Sequence, residues 1–317
     1  MDLATRLRLG ELLSTDVTAA RALGAQHGVR HYSLALADGR RAFAKIGNGA
    51  DRAEAADWAA AGSAGEQDAA MDSGGSSDGS TAVGFAAEAA GLRWLAQAAG
   101  TGVPRVLAAG GDCLVIDWIE TGRPTRSAAA RFGRELAGLH AAGADRFGAP
   151  WPGVIAGLPL ANDARDADGW ADWYATRRVL PYVRIGRDDG TLAPADVTVI
   201  ESACARAADI AGPPEPPARL HGDCWSGNVL WSDGRGWLID PAAHGGHRET
   251  DLAMLALFGA PYLDEVLTCY QEVTPLADGW RGRVPLHQLH PLLVHVCLFG
   301  IAYRDAALAA ARAVLAS

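Results

Sequence analysis

Two short apolar runs joined by a polar turn constrain this chain more than any other segment. The segment consists of the runs Asn228–Trp231 and Gly236–Ile239 and the turn Ser232–Arg235 between them. Apolar and aromatic runs bounded by turn-forming residues predict a β-hairpin. In such a hairpin Asp223 and Asn228 precede the first strand, and Asp240 follows the second. We therefore expect three oxygen-bearing side chains to meet at one end of the hairpin.

The spacing of these three residues is typical of a kinase catalytic centre. An Asp and an Asn five residues apart, with a second Asp twelve residues after the Asn, match that pattern. Asp223 can accept the proton of an attacking hydroxyl, and Asn228 and Asp240 are hard oxygen ligands suited to Mg²⁺ on ATP. The alternative is an Asp and an Asn that only cap backbone groups of a tight turn. The preceding His-Gly pair and the second Asp favour the kinase interpretation.

Lys45 ends an early strand-like run and is the candidate phosphate ligand. Residues 17–45 alternate as β-strands do, with a turn at Asp38-Gly39. A kinase keeps a strand lysine there that contacts the phosphates of ATP and pairs with a helix glutamate. Glu88 is the expected partner because it lies on the first amphipathic helix that follows, and Glu54 is a second candidate. The alternative for both Lys45 and Glu88 is a solvated surface charge.

The segment Leu23–Gly28 is the candidate phosphate-covering loop. Its glycines, Gly24 and Gly28, would let the backbone approach phosphate oxygens closely. It lacks a fuller glycine cluster, so a plain hairpin turn stays open as the alternative.

Two further residues belong to the predicted catalytic loop. Trp225 can form an apolar wall against the carbon face of a sugar, or it can anchor the loop in the core. His221 is expected to brace the loop rather than to carry a proton.

At these positions the chain resembles the fructosamine/ketosamine kinases, a family in the aminoglycoside phosphotransferase branch of the protein-kinase-like fold. The resemblance is carried by the segments His221–Trp231, Ile239–Ala243, Gly246–Ala253, Glu88–Leu95, Trp170–Arg178 and His287–His295. The Trp-Ser-Gly insert at 225–227 is more particular to this family than the bare phosphotransferase pattern. The resemblance covers most of the chain outside residues 47–84.

This resemblance implies an α+β, bilobal protein-kinase-like fold, with a small antiparallel sheet in the N-terminal lobe and a larger, mainly helical C-terminal lobe. It implies an ATP- and Mg²⁺-dependent kinase that phosphorylates a sugar hydroxyl, O3, of ketosamines. Ribulosamine and fructosamine adducts on lysine, small amines or proteins are the expected acceptors, and the implied role is deglycation repair.

The resemblance also implies roles for four more residues. Asp251 would anchor the backbone of the catalytic loop, with a plain helix N-terminal carboxylate as the alternative. Asp117 and Ile119 would lie in the hinge, where backbone groups meet adenine; an ordinary edge strand is the alternative. His295 lies near the helices that shape the acceptor pocket of this fold, with a core histidine as the alternative.

Bulk properties exclude several other classes of protein. The net charge of −9 argues against nucleic acid or an anionic membrane as the main partner. No long uninterrupted apolar run predicts a membrane span, and the first residues lack the apolar core of a signal peptide. Five scattered cysteines without a C-x-x-C pair favour the reducing cytoplasm. The sequence does not indicate the oligomeric state.

The pattern of elements predicts an N-terminal lobe at 1–117, a hinge at 118–123 and a helical lobe at 124–317. Within the first lobe, residues 47–84 contain one valine and no leucine or isoleucine. Such a segment cannot bury enough apolar surface to offset its ordering entropy, so we expect a largely disordered insertion with a transient helix near 54–61. The remaining expected elements are a helix at 85–98, strands at 104–107 and 113–118, and helices at 126–142, 168–186, 194–211, 249–258, 262–272 and 286–315.

Two other functions remain open from the residues alone. One is a kinase for a different acceptor, such as an aminoglycoside or choline, against which the Trp-Ser-Gly insert argues. The other is a nucleotide-binding pseudokinase, which the sparse glycine loop permits and the intact polar set opposes.

Overall fold

The chain divides into two compact units in the computed structural model, which describes residues 1–26, 28–47, 77–163 and 169–317. The first unit comprises Met1–Arg93 and Pro104–Glu120, and the second comprises Trp94–Val103 and Thr121–Ser317. Residues 94–103 were expected in the N-terminal lobe but belong to the second unit. The reason is that residues 94–103 are hydrogen-bonded to the second unit. The Leu238 N–H donates to the Gly102 carbonyl at 2.7 Å, and the Arg235 guanidinium donates to the Gly100 carbonyl at 2.5 Å.

The first unit is built on an antiparallel five-stranded sheet. Its strands are β1 (Val17–Gln26), β2 (Val29–Leu36), β3 (Arg41–Ile46), β4 (Val106–Gly110) and β5 (Cys113–Asp117), in the spatial order β1-β2-β3-β5-β4. Apolar side chains from alternate positions, among them Tyr32, Leu34 and Ala44, form a core together with Leu9 and Leu13 of helix α1 (Leu3–Leu13). The sheet therefore confirms the predicted small antiparallel layer.

The helix that carries Glu88 starts earlier than its pattern predicts. Helix α2 spans Ser77–Leu95, so residues 77–84, expected to be disordered, are helical, and the helix ends three residues before Ala98. Its later part buries Phe85, Leu92 and Leu95, and this packing fixes the helix. The rest of the expected insertion, at 48–76, lies outside the described residues, as do Glu54 and the transient helix at 54–61.

The second unit is mainly helical. Its helices are α3 (Arg126–Ala141), α4 (Trp170–Tyr174), α5 (Leu180–Asp188), α6 (Pro194–Ala205), α7 (Ala207–Ile210), α8 (Glu249–Leu257), α9 (Leu263–Val273), α10 (Trp280–Phe299) and α11 (Arg304–Ala316). A π-helical turn, Ala175–Val179, joins α4 to α5. The single helix expected at 286–315 is wrong: a 3₁₀ turn at Gly300–Ala302 separates α10 from α11, and Gly300 has a φ of 66° that no helix interior adopts.

Three short strand pairs accompany these helices. They are β6 (Gly153–Ile155) with β7 (Leu158–Leu160), β8 (Ala218–Leu220) with β11 (His244–Gly246), and β9 (Val229–Ser232) with β10 (Arg235–Leu238). The β9–β10 pair confirms the predicted hairpin. Its two turn residues, Asp233 and Gly234, both have positive φ, as the favoured two-residue hairpin turn requires.

Helix α10 and its 3₁₀ extension, Trp280–Ala302, are long and apolar enough to span a membrane by length and composition. In this structure half of that apolar stretch is buried within the protein. Leu286, Leu289 and Leu293 lie in the core of the second unit, with Val314 of α11. The helix therefore has the environment of a core helix.

Candidate active site

The backbone of the catalytic loop is fixed by one buried carboxylate. Asp251, in the first turn of α8, accepts hydrogen bonds from the N–H groups of His221 at 2.8 Å and Gly222 at 3.0 Å. Gly222 has a φ of +80°, and a Cβ added there would lie 2.2 Å from the Ala242 carbonyl oxygen. Only glycine fits this position, so Asp251 and Gly222 together set the direction in which the loop leaves β8.

The Asp251 carboxylate has a further partner that the sequence did not single out. Nε2 of His140, on α3, lies 3.2 Å from Asp251 Oδ2, and its Nδ1 lies 2.8 Å from the hydroxyl of Tyr270. Burial raises the pKa of Asp251, but the bonds from His140 and the loop backbone outweigh it and leave the pKa below its ordinary value. The carboxylate is therefore ionised and fully paired. A histidine on the buried side of α3, beside Leu136 and Leu139, is the one sequence signal that could have indicated it.

His221 braces the loop from inside. Its Nε2 lies 2.9 Å from the Ile239 carbonyl oxygen, which only accepts, so Nε2 carries the proton. Its Nδ1 then accepts from the Asp223 N–H at 3.3 Å. Burial lowers the pKa of His221, and the ring stays neutral. The imidazole thus ties the start of the loop to the residue before Asp240.

The three residues at the end of the hairpin are linked through Asn228. Its Nδ2 donates to Asp223 Oδ2 at 2.8 Å and to the Asp223 carbonyl at 2.9 Å, and lies 3.5 Å from the Asp240 carbonyl oxygen. Asp240 has a φ of 54°, a left-handed conformation that Asp tolerates better than most residues. The structure thus brings Asp223, Asn228 and Asp240 together.

The environment of Asp223 disfavours its charged form. Burial raises its pKa to about 7, and the charges of Asp240 and Asp251 act in the same direction against the hydrogen bond from Asn228. A carboxylate with a pKa near neutrality is matched to general-base chemistry, because it is a stronger base than an ordinary aspartate and still loses its proton at physiological pH.

Trp225 lies at the surface of this loop. Its side chain is 38 % exposed, and its ring covers Gly227, where an added Cβ would lie 2.2 Å from the ring. The exposure does not fit a core anchor. His295, the other predicted acceptor residue, is half-buried on α10, where its Nδ1 donates to the Pro291 carbonyl at 2.7 Å.

In the first unit, Lys45 and Glu88 form a two-pronged ion pair. The Lys45 ammonium lies 2.9 Å and 2.8 Å from the two carboxylate oxygens of Glu88, and both side chains are largely buried. The register of the sheet places Lys45 opposite Leu114 of β5 and His31 of β2. A central strand therefore presents the lysine to helix α2, as expected for a phosphate-contacting lysine.

The remaining predicted nucleotide residues lie elsewhere in the first unit. Gly24 is in β1 beside an irregularity in the strand pairing, and Gly28 lies just before β2; both have positive φ, and a Cβ at either would meet open space. Asp117 ends β5, and its carboxylate accepts from the Arg105 side chain at 2.7 Å. The Asp117 N–H donates to the Arg105 carbonyl, whereas no described residue is hydrogen-bonded to the Ile119 N–H.

A sheet lysine paired with a helix glutamate, and an anchored Asp/Asn loop followed by a second Asp, define a kinase-like phosphotransferase. The structure is similar over 99 % of both chains to an ADP-bound aminoglycoside phosphotransferase, with a TM-score of 0.61 and 14 % identity, which shows the fold. This confirms the predicted protein-kinase-like fold class.

Closer similarities show the family. The fructosamine kinase family model matches residues 76–317. A probable ketoamine kinase of Synechocystis is 34 % identical over 70 % of this chain and 76 % of its own length. A crystal structure of a candidate fructosamine-3-kinase from Thermobifida fusca is 46 % identical and covers 99 % of both chains, with a TM-score of 0.86. The chain belongs to the fructosamine kinase family, and it is a phosphotransferase of the kinase class.

Proposed function

We propose that this protein is an ATP-dependent kinase that phosphorylates O3 of the sugar in ketosamines such as ribulosamine and fructosamine adducts. Family membership and the names of its relatives support a ketosamine as the acceptor. The observation that carries the proposal is the anchored loop in which Asn228 holds the Asp223 carboxylate at 2.8 Å. A carboxylate held in this way can orient the hydroxyl of an acceptor and take its proton.

In the proposed reaction Asp223 orients the acceptor hydroxyl and takes its proton. The hydroxyl oxygen forms a bond to the γ-phosphorus of ATP, and the bond from that phosphorus to the β,γ-bridging oxygen breaks. The proton moves to the Asp223 carboxylate, and ADP leaves with the bridging oxygen. Phosphoryl transfer needs positioning and charge neutralisation more than covalent help, and the fixed loop supports the first requirement.

The residues present fit a magnesium ion. Asn228 commits its Nδ2 to Asp223, and this Nδ2 lies 3.5 Å from the Asp240 carbonyl oxygen, so its carboxamide oxygen is the atom that can bind a cation, and Asp240 would contribute its carboxylate. Carboxylate and amide oxygens are the ligands that Mg²⁺ prefers. We assign Asn228 and Asp240 to the ion, which when bound would neutralise the charge of the transferring phosphate.

For the nucleotide we assign Lys45 to the phosphates of ATP, with Glu88 holding the ammonium in place. The ion pair at 2.8–2.9 Å supports this role. The glycines Gly24 and Gly28 would cover the phosphates, and backbone groups of Asp117 and Ile119 would meet adenine. No described residue accepts a hydrogen bond from the Ile119 N–H, and this supports the adenine assignment, since a donor at that position can serve a ligand.

The biological role that follows is repair of glycated amines. Phosphate is a better leaving group than hydroxide, so a 3-phosphorylated ketosamine is prone to decompose. The five cysteines are all free thiols, which supports a reducing cytoplasm as the place of the reaction.

A coupled ATP-consumption assay tests this function. Ribulosyl-lysine, fructosyl-lysine and a panel of aminoglycosides serve as acceptors, and ³¹P–¹H NMR of the product locates the phosphate. We expect turnover with the ketosamines and phosphate on O3. Turnover with aminoglycosides alone would identify a different acceptor, and nucleotide binding without turnover on any acceptor would identify a pseudokinase.

A further inference from the structure

Five aromatic side chains of the second unit form a continuous row that begins at the catalytic loop. We call the set Trp225, Phe258, His295, Phe299 and Tyr303 the aromatic row. The Trp225 and Phe258 ring centroids are 6.0 Å apart, and those of Phe258 and His295 are 4.9 Å apart. The His295 ring lies 5.5 Å from Phe299 and 4.7 Å from Tyr303.

The aromatic row is rigidly connected to the catalytic carboxylate. Trp225 lies two residues after the proposed base, Asp223. The Trp225 N–H donates to the Asp223 carbonyl at 3.0 Å, which fixes the backbone between them. Phe258 directly follows α8, the helix whose Asp251 anchors the loop. A molecule held on these rings therefore keeps a fixed position relative to Asp223.

Part of the row is open to solvent although its members present mainly apolar ring surface. Phe299 is 54 % exposed and Trp225 is 38 % exposed. Each of these two exposed rings packs on a less exposed ring of the row, Trp225 on Phe258 and Phe299 on His295. Exposed apolar surface on a protein can mark a binding site. The row starts at the loop that carries Asp223, which is where the proposed function places the acceptor.

His295 adds a polar group to the row. Its Nδ1 donates to the Pro291 carbonyl, and burial lowers its pKa, so the ring is neutral and Nε2 is an acceptor. No described residue is hydrogen-bonded to that Nε2. The row thus offers aromatic faces and one acceptor, and its side chains include no formal charge at neutral pH.

We propose that the aromatic row binds the amine-derived half of the acceptor and selects ketosamines of apolar or aromatic amines. A ketosamine nitrogen is a secondary amine that is protonated at neutral pH. Aromatic faces attract such an ammonium, and His295 Nε2 can accept its N–H. The apolar group on the nitrogen then packs on Phe299 and Tyr303. The carboxylate of a free amino acid gains nothing from this row. This inference rests on the proposed ketosamine kinase function.

Steady-state kinetics with fructosyl-benzylamine, fructosyl-glycine and Nε-fructosyl-lysine test the proposal, because the three acceptors share one sugar. For the wild type we expect kcat/KM to be highest with fructosyl-benzylamine. Phe299→Ala should raise the KM for fructosyl-benzylamine about five- to tenfold at unchanged kcat. The KM for fructosyl-glycine should change less than about twofold, because its amine half does not reach Phe299.

Two further variants make the test specific. Val273→Ala removes a 49 % exposed apolar side chain at the end of α9 and should leave all three KM values unchanged. Phe299→Leu keeps an apolar group and should still raise the KM for fructosyl-benzylamine, since the ring is lost. Thermal melts of each variant separate a binding defect from unfolding.

The outcomes are distinct. Equal KM changes for all three acceptors in Phe299→Ala, or a wild-type preference for fructosyl-glycine, would overturn the role of the row while leaving a ketosamine kinase. If the wild type phosphorylates no ketosamine, the proposed function itself fails, and the inference fails with it.

Discussion

The Lys45–Glu88 pair of the first unit and the catalytic loop of the second unit place buried charges in opposite surroundings. Lys45 faces a carboxylate at 2.8 Å, so opposite charges stabilise each other. Asp223 loses solvation through burial and lies near the like charges of Asp240 and Asp251, so its pKa rises to about 7. One arrangement keeps a charge permanently present, and the other makes a charge conditional on pH.

The difference matches the work proposed for each region. A phosphate ligand must stay cationic, and a paired lysine does so. A general base must both accept and release a proton, and a destabilised carboxylate does so. The hydrogen bonds from the His221 and Gly222 N–H groups to Asp251 hold the loop backbone that carries this carboxylate.

Asp223→Asn should have the largest effect on turnover. The carboxamide keeps the shape and the contact with Asn228 but cannot take the hydroxyl proton, so we expect kcat to fall about 10³-fold. Nucleotide affinity, measured by calorimetry, should stay within about threefold of wild type. Turnover within tenfold of wild type would remove Asp223 from the mechanism.

Lys45→Met should lower kcat/KM for ATP about 10²-fold, because one fixed cation at the phosphates is lost. It should also cost about 1–3 kcal/mol of unfolding free energy, since Glu88 stays largely buried without this partner. The double variant Lys45→Met/Glu88→Leu should recover stability but not activity. Recovery of both would make the pair purely structural.

Asp251→Asn should lower kcat about 10- to 100-fold and lower the free energy of unfolding by about 2–3 kcal/mol. The reason is that the loop N–H groups and His140 lose an ionised acceptor. Asp305→Asn is the matched control: it also lies in a first helical turn, but its side chain is 94 % exposed. For Asp305→Asn we expect the free energy of unfolding to fall by less than about 1 kcal/mol, which is the contribution of a carboxylate to the helix dipole. Equal effects in both variants would reduce Asp251 to a helix-terminal charge.

The pH dependence should follow Asp223. Below about pH 7 its carboxyl is protonated and cannot act as a base, so kcat/KM for the acceptor should rise with pH and level off above that value. The raised pKa also means that the folded protein holds a proton that the unfolded chain releases between about pH 4 and pH 7. The free energy of unfolding should therefore decline as pH rises through this window, by about 1.4 kcal/mol per pH unit and about 4 kcal/mol over the whole window, and Asp223→Asn should remove that decline. A thermal melt series at pH 5 to 8 measures it, and an unchanged decline in Asp223→Asn would assign it to other groups.

Gly28→Ala should have the smallest effect. The new Cβ meets open space, so only the positive φ opposes it, at about 1 kcal/mol. We expect the KM for ATP to rise about threefold through the altered loop backbone. An unchanged KM would favour a plain hairpin connection between β1 and β2.

The hairpin and its polar ends were predictable because their interactions are local. Turn residues between two apolar runs specify a hairpin, and the hairpin brings residues 228 and 240 together across 12 positions. Family-like motifs extended the prediction to Lys45, Glu88 and Asp251, whose contacts the structure describes. Element ends were less predictable: α2 starts eight residues early, and the helices expected at 194–211 and 286–315 are each divided in two, because tertiary packing decides where a helix stops.

Residues without a local motif were not predictable as site components. His140 approaches Asp251 across 111 positions, and its place on the buried side of α3 indicates only that the ring is buried, not which residue it contacts. Phe258, Phe299 and Tyr303 look like ordinary core positions in the sequence. The exposure of Phe299 and the ring contacts along the row exist only after α8 and α10 have packed.

By itself, the sequence determined which groups can do chemistry here and where the hairpin that gathers three of them lies, because chemical type and short-range turns are properties of neighbouring residues. Only the tertiary structure decided the proton affinity of Asp223, the anchoring of the loop through His140 and Asp251, and the aromatic row. Burial and the approach of distant charges set those properties, and both arise only when the chain is packed.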